Sequence, residues 1–126
     1  MKIRMATDSI RFRVRKSDLA ELQQSNRIED EVHFPSGIVF TFVLDIQDRD
    51  DILATCNDSN IIVSLPKQEA EQWMQTSAVS IEKHITLQDD KELHLLIEKD
   101  FPCLDREEEN KEDTFWELSE EKPNVC

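Results

Sequence analysis

The stretch V14-R-K-S-D-L-A-E-L22 has a counterpart 51 residues further on, L65-P-K-Q-E-A-E-Q-W73. Each leaves a run of alternating apolar residues, passes a lysine and enters a short segment with an acidic first turn. In the first, Ser17 suits the N-cap and Asp18 favours the positive end of the helix dipole. In the second, Pro66 fits a helix's opening position and Glu69 takes the acidic place. Leu19 and Leu22 form a narrow apolar stripe, and Ala70, Trp73 and Met74 follow i, i+3, i+4 spacing. The two segments predict helices of about ten residues, which only packing can hold.

Strands surround both helices. In S9-I-R-F-R-V-R15 the apolar Ile10, Phe12 and Val14 point one way and Arg11, Arg13 and Arg15 the other. N60-I-I-V-S-L-P66 puts Ile61, Val63 and Leu65 inward in the same manner. Before each lies another strand candidate, K2-I-R-M5 and I52-L-A-T-C56. The joining turns, A6-T-D-S9 and N57-D-S-N60, have hairpin chemistry. After the helices come R27-I-E-D-E-V-H-F34 and A78-V-S-I-E-K-H-I85. A constant spacing sets Ile28 against Val79 and His33 against His84. The turn P35-S-G37 holds the chain's single glycine, where a positive φ is easiest. I38-V-F-T-F-V-L-D-I46 and E92-L-H-L-L-I-E-K99 complete the series, with Leu93, Leu95 and Ile97 matching Phe42, Leu44 and Ile46.

The expected fold is therefore α+β: tandem ββαββ repeats, residues 1–50 and 51–104, sharing one core as a single domain. The strands are expected to form one antiparallel or mixed sheet, or a partly closed barrel, with two short helices against it. Beyond residue 104 the composition changes. D105-R-E-E-E-N-K-E-D-T114 is a charge run without apolar period, so residues 105–126 read as an acidic, flexible tail that F115-W-E-L118 interrupts.

The chain has 126 residues and a net charge of −13, unevenly spread. Residues 1–28 carry seven Lys/Arg against three Asp/Glu, residues 29–104 five against sixteen, and residues 105–126 three against nine. Such an acidic protein repels phosphates at long range, so nucleic acid is not an expected partner. M1-K-I-R-M5 is too charged for a signal peptide, and no apolar run approaches a bilayer span. Cys56, Cys103 and Cys126 show no paired spacing. Together these lead to the expectation of a cytoplasmic protein without a membrane partner.

Few residues carry chemistry. The ladder Arg11, Arg13 and Arg15, with Lys2 and Arg4 on the neighbouring strand, could hold a small anion. Its plainer role is cross-strand pairing with Glu29, Glu31 or the acidic tail, which keeps an open sheet face soluble. In E98-K-D-F-P-C-L-D-R106 the thiol of Cys103 sits between Lys99 and Arg106, cations that would favour a thiolate. No histidine base is identifiable for it, and its plainer role is to close the core with Phe101 and Leu104. His33 and His84, at matching places, lack metal-ligand spacing, as does the outward-facing His94; no metal and no cofactor is expected. A Gly-rich phosphate loop and a nucleophile with its base are both missing.

M1-K-I-R4, S9-I-R-F-R13, V32-H-F34, I61-I-V-S-L-P66 and I97-E-K-D-F-P-C-L104 resemble a small, uncharacterised bacterial protein family that opens with an MKIR…SIR pattern and closes with EKDF-x-CL. The resemblance covers most of residues 1–104 and implies a bacterial cytoplasmic protein, with no activity, cofactor or partner attached. The function expected is a non-enzymatic binding or interaction domain whose partner is a protein or a second copy of the chain. The alternative is a small anion- or phosphate-binding enzyme or sensor that uses the arginines or Cys103.

Overall fold

A computed structural model of the chain describes residues 1–100. Cys103, Arg106 and the acidic run lie outside the described residues. Ten elements follow in order: β1 (Lys2–Ala6), β2 (Ser9–Val14), α1 (Lys16–Ser25), β3 (Arg27–His33), β4 (Val39–Gln47), β5 (Leu53–Asn57), β6 (Asn60–Pro66), α2 (Lys67–Gln75), β7 (Ser80–Thr86) and β8 (Glu92–Lys99). The α+β class and the element order follow the sequence pattern closely.

The arrangement departs from the one sheet or barrel that the pattern suggested. There are two four-stranded mixed sheets, β1-β2-β8-β7 and β3-β4-β6-β5. In each, two antiparallel hairpins meet at a central parallel pair: β2 beside β8 in the first sheet, β4 beside β6 in the second. Parallel neighbours cannot be joined by a tight turn. In the chain β5 comes between β4 and β6, and everything from α1 to β7 comes between β2 and β8; α1 carries the chain from β2 to the second sheet and α2 from β6 back to the first. Three of the four edge strands are charged; β5 is the exception. Lys2 and Arg4 stud β1, Glu29, Asp30 and Glu31 stud β3, and Glu82 and Lys83 stud β7, which discourages further strand pairing and closure.

Turn chemistry sets the register. Asp8 and Asp58 take positive φ in the first hairpin turns, and Gly37 does so between β3 and β4. Between β7 and β8, Asp89 and Asp90 both have φ near +60° in a three-residue loop, residues 88–90, closed by the Leu87 N–H donating to the Lys91 carbonyl at 2.7 Å. That turn places Ile81 opposite Ile97 and His84 opposite His94. In the other sheet, Ile28 faces Leu44 and His33 faces Val39. Ile81, rather than Val79, thus takes the place beside β8 that Ile28 takes beside β4. The reason lies at the helix ends. One residue, the left-handed Asn26, separates α1 from β3, whereas Thr76 leaves α2 extended and four residues precede β7.

The helices begin slightly before and after their expected starts. Arg15, not Ser17, is the N-cap of α1, because the Asp18 carboxylate accepts the Arg15 N–H at 3.0 Å. Pro66 ends β6 and α2 starts at Lys67. Both helices bury their apolar stripe: Leu22 from α1, Ala70 and Trp73 from α2. These join Phe12, Val14, Leu95 and Ile97 of the first sheet and Phe42, Leu44, Val63 and Leu65 of the second in one buried cluster. Phe12 meets Phe42 across the sheets, ring centroids 6.4 Å apart. The Trp73 indole N–H donates to the Val79 carbonyl at 3.0 Å, so burying this ring strands no donor.

Candidate functional site on the outer face of the first sheet

Since Phe12, Leu95 and Ile97 point to the core, pleating turns their neighbours outward. The outer face of the first sheet therefore carries Lys2 and Arg4 from β1, Arg11 and Arg13 from β2, His94 and Glu98 from β8, and Glu82 and His84 from β7. The sequence reading picked out the arginines here and missed most of what lies beside them.

Arg13 sits opposite Glu98 in the β2–β8 ladder. Its Nε donates to Glu98 Oε1 at 2.7 Å, and Arg11 Nε approaches the same oxygen at 3.6 Å. The Glu98 side chain is only 9% exposed, so the pair is shielded enough to be strong. The expected partners were Glu29 and Glu31. Both lie on the second sheet instead, beside Arg27 and His33 respectively. The parallel neighbour of β2 supplies the anion, and which strand that would be is invisible in local sequence. Lys2 reaches Asp100 at 3.8 Å, and Arg4 makes no ion pair among the described residues. The third rung of the expected ladder is absent: β2 stops at Val14, and Arg15 turns to Asp18 at 3.6 Å as the helix begins. Lys99 donates its ammonium to the Thr76 carbonyl at 2.8 Å, tying β8 to the end of α2.

At the far side of the same face, the rings of His84 and His94 stack at 4.5 Å and within 7° of parallel. His84 Nε2 lies 3.5 Å from Glu82 Oε1, and His94 Nε2 lies 3.3 Å from Glu82 Oε2. The second contact is close without being aligned as a hydrogen bond, so His94 Nε2 is buried and has no bonded partner. His84 Nδ1 lies 3.5 Å from Glu92. The interaction with His94 holds the Glu82 carboxyl below its ordinary value against a smaller desolvation effect, and His84 adds in the same sense. The match expected between His33 and His84 does not bring those two together. His33 stands in the other sheet, 3.5 Å from Glu31. The readable signal for the true pair was the turn chemistry of Q88-D-D90, the loop that joins β7 to β8.

Two clefts lie elsewhere. One of about 570 Å³ is lined by Asp48, Arg49, Asp50, Lys67, Glu69 and Glu71, among others. A smaller one, about 180 Å³, lies between the helices near Asn26 and Met74. The arginines of β2 line neither. Cys56, the free cysteine among the described residues, is exposed on β5, with no histidine opposite it in the ladder. No helix among the described residues is long and apolar enough to cross a membrane.

A family model described as a family of unknown function, DUF7009, matches residues 1–118. The matched region runs past residue 104, where the resemblance in the sequence patterns ends, and takes in Phe115 and Trp116. No curated protein matches the chain.

Proposed function

The chain belongs to the DUF7009 family, whose function is unknown, and from its own surface we propose that it is a small non-enzymatic binding domain. Its working surface in this reading is the outer face of the first sheet, and its partner is an acidic protein segment. One observation carries this. A chain of net charge −13 gathers Lys2, Arg4, Arg11 and Arg13 on one open face, and among the described residues Glu98 is the one carboxylate reaching the two arginines of β2. Both arginines approach Glu98 through Nε, which leaves the terminal nitrogens of each guanidinium as further donors for an incoming carboxylate. Cations spread along two adjacent strands suit an extended segment better than a compact small molecule. The acidic run 105–114 of the same chain is a natural competitor for this face, entering just beyond Lys99.

The test is binding of a fluorescent oligo-glutamate peptide to the full chain at low and moderate salt. Binding should weaken as salt rises, fall several-fold in Arg4→Ala and Arg11→Ala, and hold in Arg49→Ala. Equal binding by all three variants would remove the proposal. Stabilisation by inorganic phosphate without peptide binding would favour the alternative, an anion-using enzyme or sensor.

The same reading includes a tandem ββαββ architecture followed by an acidic tail, in a cytoplasmic setting. Support for the repeat comes from the matched order of strands in the two sheets and from Val14–Leu22 and Leu65–Trp73 filling the same place between strand and helix. An alignment of family members in which these two segments diverge in nearly every case would count against it. The exposed thiol of Cys56 fits a reducing compartment.

A further inference from the structure

We propose that Glu82, His84 and His94 form a binding site for a divalent transition-metal ion of the Zn²⁺ type. Each residue offers one ligand atom, and the three atoms lie within 4.8 Å of one another. Two imidazoles and one carboxylate are the borderline N/O donor set that suits zinc, and they leave a coordination position open.

The spacing fits as well as the chemistry. Zn–N and Zn–O bonds of about 2.0–2.2 Å in a tetrahedron put neighbouring donors about 3.3–3.5 Å apart. Glu82 Oε1 stands 3.5 Å from His84 Nε2 and Glu82 Oε2 stands 3.3 Å from His94 Nε2, and the two imidazoles, stacked within 7° of parallel, turn about their side-chain bonds to converge on one ion. His94 Nε2 is the atom that most needs a partner, being buried and without an aligned hydrogen bond. A metal ion supplies that partner.

Support around the ligands is also in place. Glu92 faces His84 Nδ1 at 3.5 Å. A carboxylate there favours the Nδ1–H tautomer and leaves the Nε2 lone pair for a metal. All four side chains stand on adjacent strands of one antiparallel hairpin, which sets His84 opposite His94. The hairpin fixes the ligand backbones, so closing the site takes side-chain rotation alone.

His33 and Glu31 provide an internal control. They have a similar separation, 3.5 Å, and similar exposure, but no second histidine. The open fourth position would take water or a donor from a binding partner. The site is independent of the acidic-segment reading, because it uses none of the arginines.

The experiment titrates Co²⁺ and Zn²⁺ into the full chain under reducing conditions, following the Co²⁺ visible spectrum and the calorimetric stoichiometry. One ion per chain should bind with a tetrahedral nitrogen–oxygen spectrum lacking thiolate charge transfer. His84→Ala and His94→Ala should each lower the affinity about 100-fold or more, and Glu92→Gln about tenfold. His33→Ala should leave it unchanged. Because all these side chains face outward, circular dichroism of the variants should match the parent. Binding that survives both His84→Ala and His94→Ala, or that His33→Ala weakens equally, overturns the site. So does Ca²⁺ or Mg²⁺ binding as tightly as Zn²⁺, which would mark a merely acidic surface.

Discussion

The two sheets share one plan and carry opposite decoration. Both place a parallel pair at the centre, and both set a carboxylate at the same kind of ladder position. In the first sheet Glu98 faces Arg13; in the second, Asp45 faces Ser64. Glu98 is held by two guanidinium groups. Asp45 has only a distant Arg27 at 4.0 Å and a weak bond from Gln47 at 3.3 Å, and its Oδ1 is buried without a partner. Where the first sheet sets Leu96 between Glu82 and Arg11, the second sets buried Val43 between Glu29 and Ile62. The core faces match in chemistry because both must fill one interior. The outer faces are under no such constraint, so their chemistry is free to differ.

The largest effects should appear where the sheets are alike. Phe12→Ala and Phe42→Ala each remove a buried ring from the shared core, and each should cost about 3–5 kcal/mol in urea unfolding. Since the rings touch, the double variant should lose less than the sum. Both sheets should still unfold in one transition. Separate transitions would break the picture of a common interior.

A middle-sized effect should separate the sheets. Glu98→Ala leaves Arg13 half-buried without its anion and should cost about 1.5–3 kcal/mol. Asp45→Asn removes a charge that its surroundings scarcely stabilise, so its effect should stay within about 0.5 kcal/mol of zero. Equal losses at the two positions would mean that the outer faces are less different than their contacts indicate.

The smallest effect compares the helix starts. At Asp18, burial pushes the carboxyl up, but the Met1 ammonium at 2.9 Å and the Arg15 N–H outweigh it, and the net result lies below the ordinary value. Glu69, its counterpart in α2, makes no such contacts among the described residues. Asp18→Asn should cost about 1 kcal/mol at neutral pH, and Glu69→Gln a few tenths. Because the folded carboxyl titrates below its unfolded value, the Asp18 contribution is complete above the ordinary carboxylate range. It disappears as pH falls through the folded value. The stability gap between Asp18→Asn and the parent should therefore close in acid, and a gap that persists there would assign it to packing instead.

Much of this could be read along the chain. Alternation in Ile10–Val14 and Ile61–Leu65 marked strands whose inward residues are in fact core, and the i, i+3, i+4 stripe found Ala70 and Trp73. Of the candidate site, only the arginines were legible, and only two of the three belong to the face. Glu98 and the histidine pair were not, for separate reasons. Glu98 meets Arg13 across 85 residues of chain through a parallel pairing, and no local pattern reports which strand becomes the parallel neighbour. His84 and His94 lie ten residues apart, near enough to be found, but a constant repeat spacing matched His84 with His33 and drew attention away from the hairpin turn.

The sequence by itself determined the elements, their inward faces and the charged edges, because pleat, helix period and turn chemistry act over a few neighbouring residues. Only the tertiary structure decided that eight strands divide into two sheets and that Arg11, Arg13, Glu98, Glu82, His84 and His94 share the outer face of one of them. Strand partners distant along the chain are selected by the energy of closing a common core, and that energy belongs to the whole assembly of side chains rather than to any one segment.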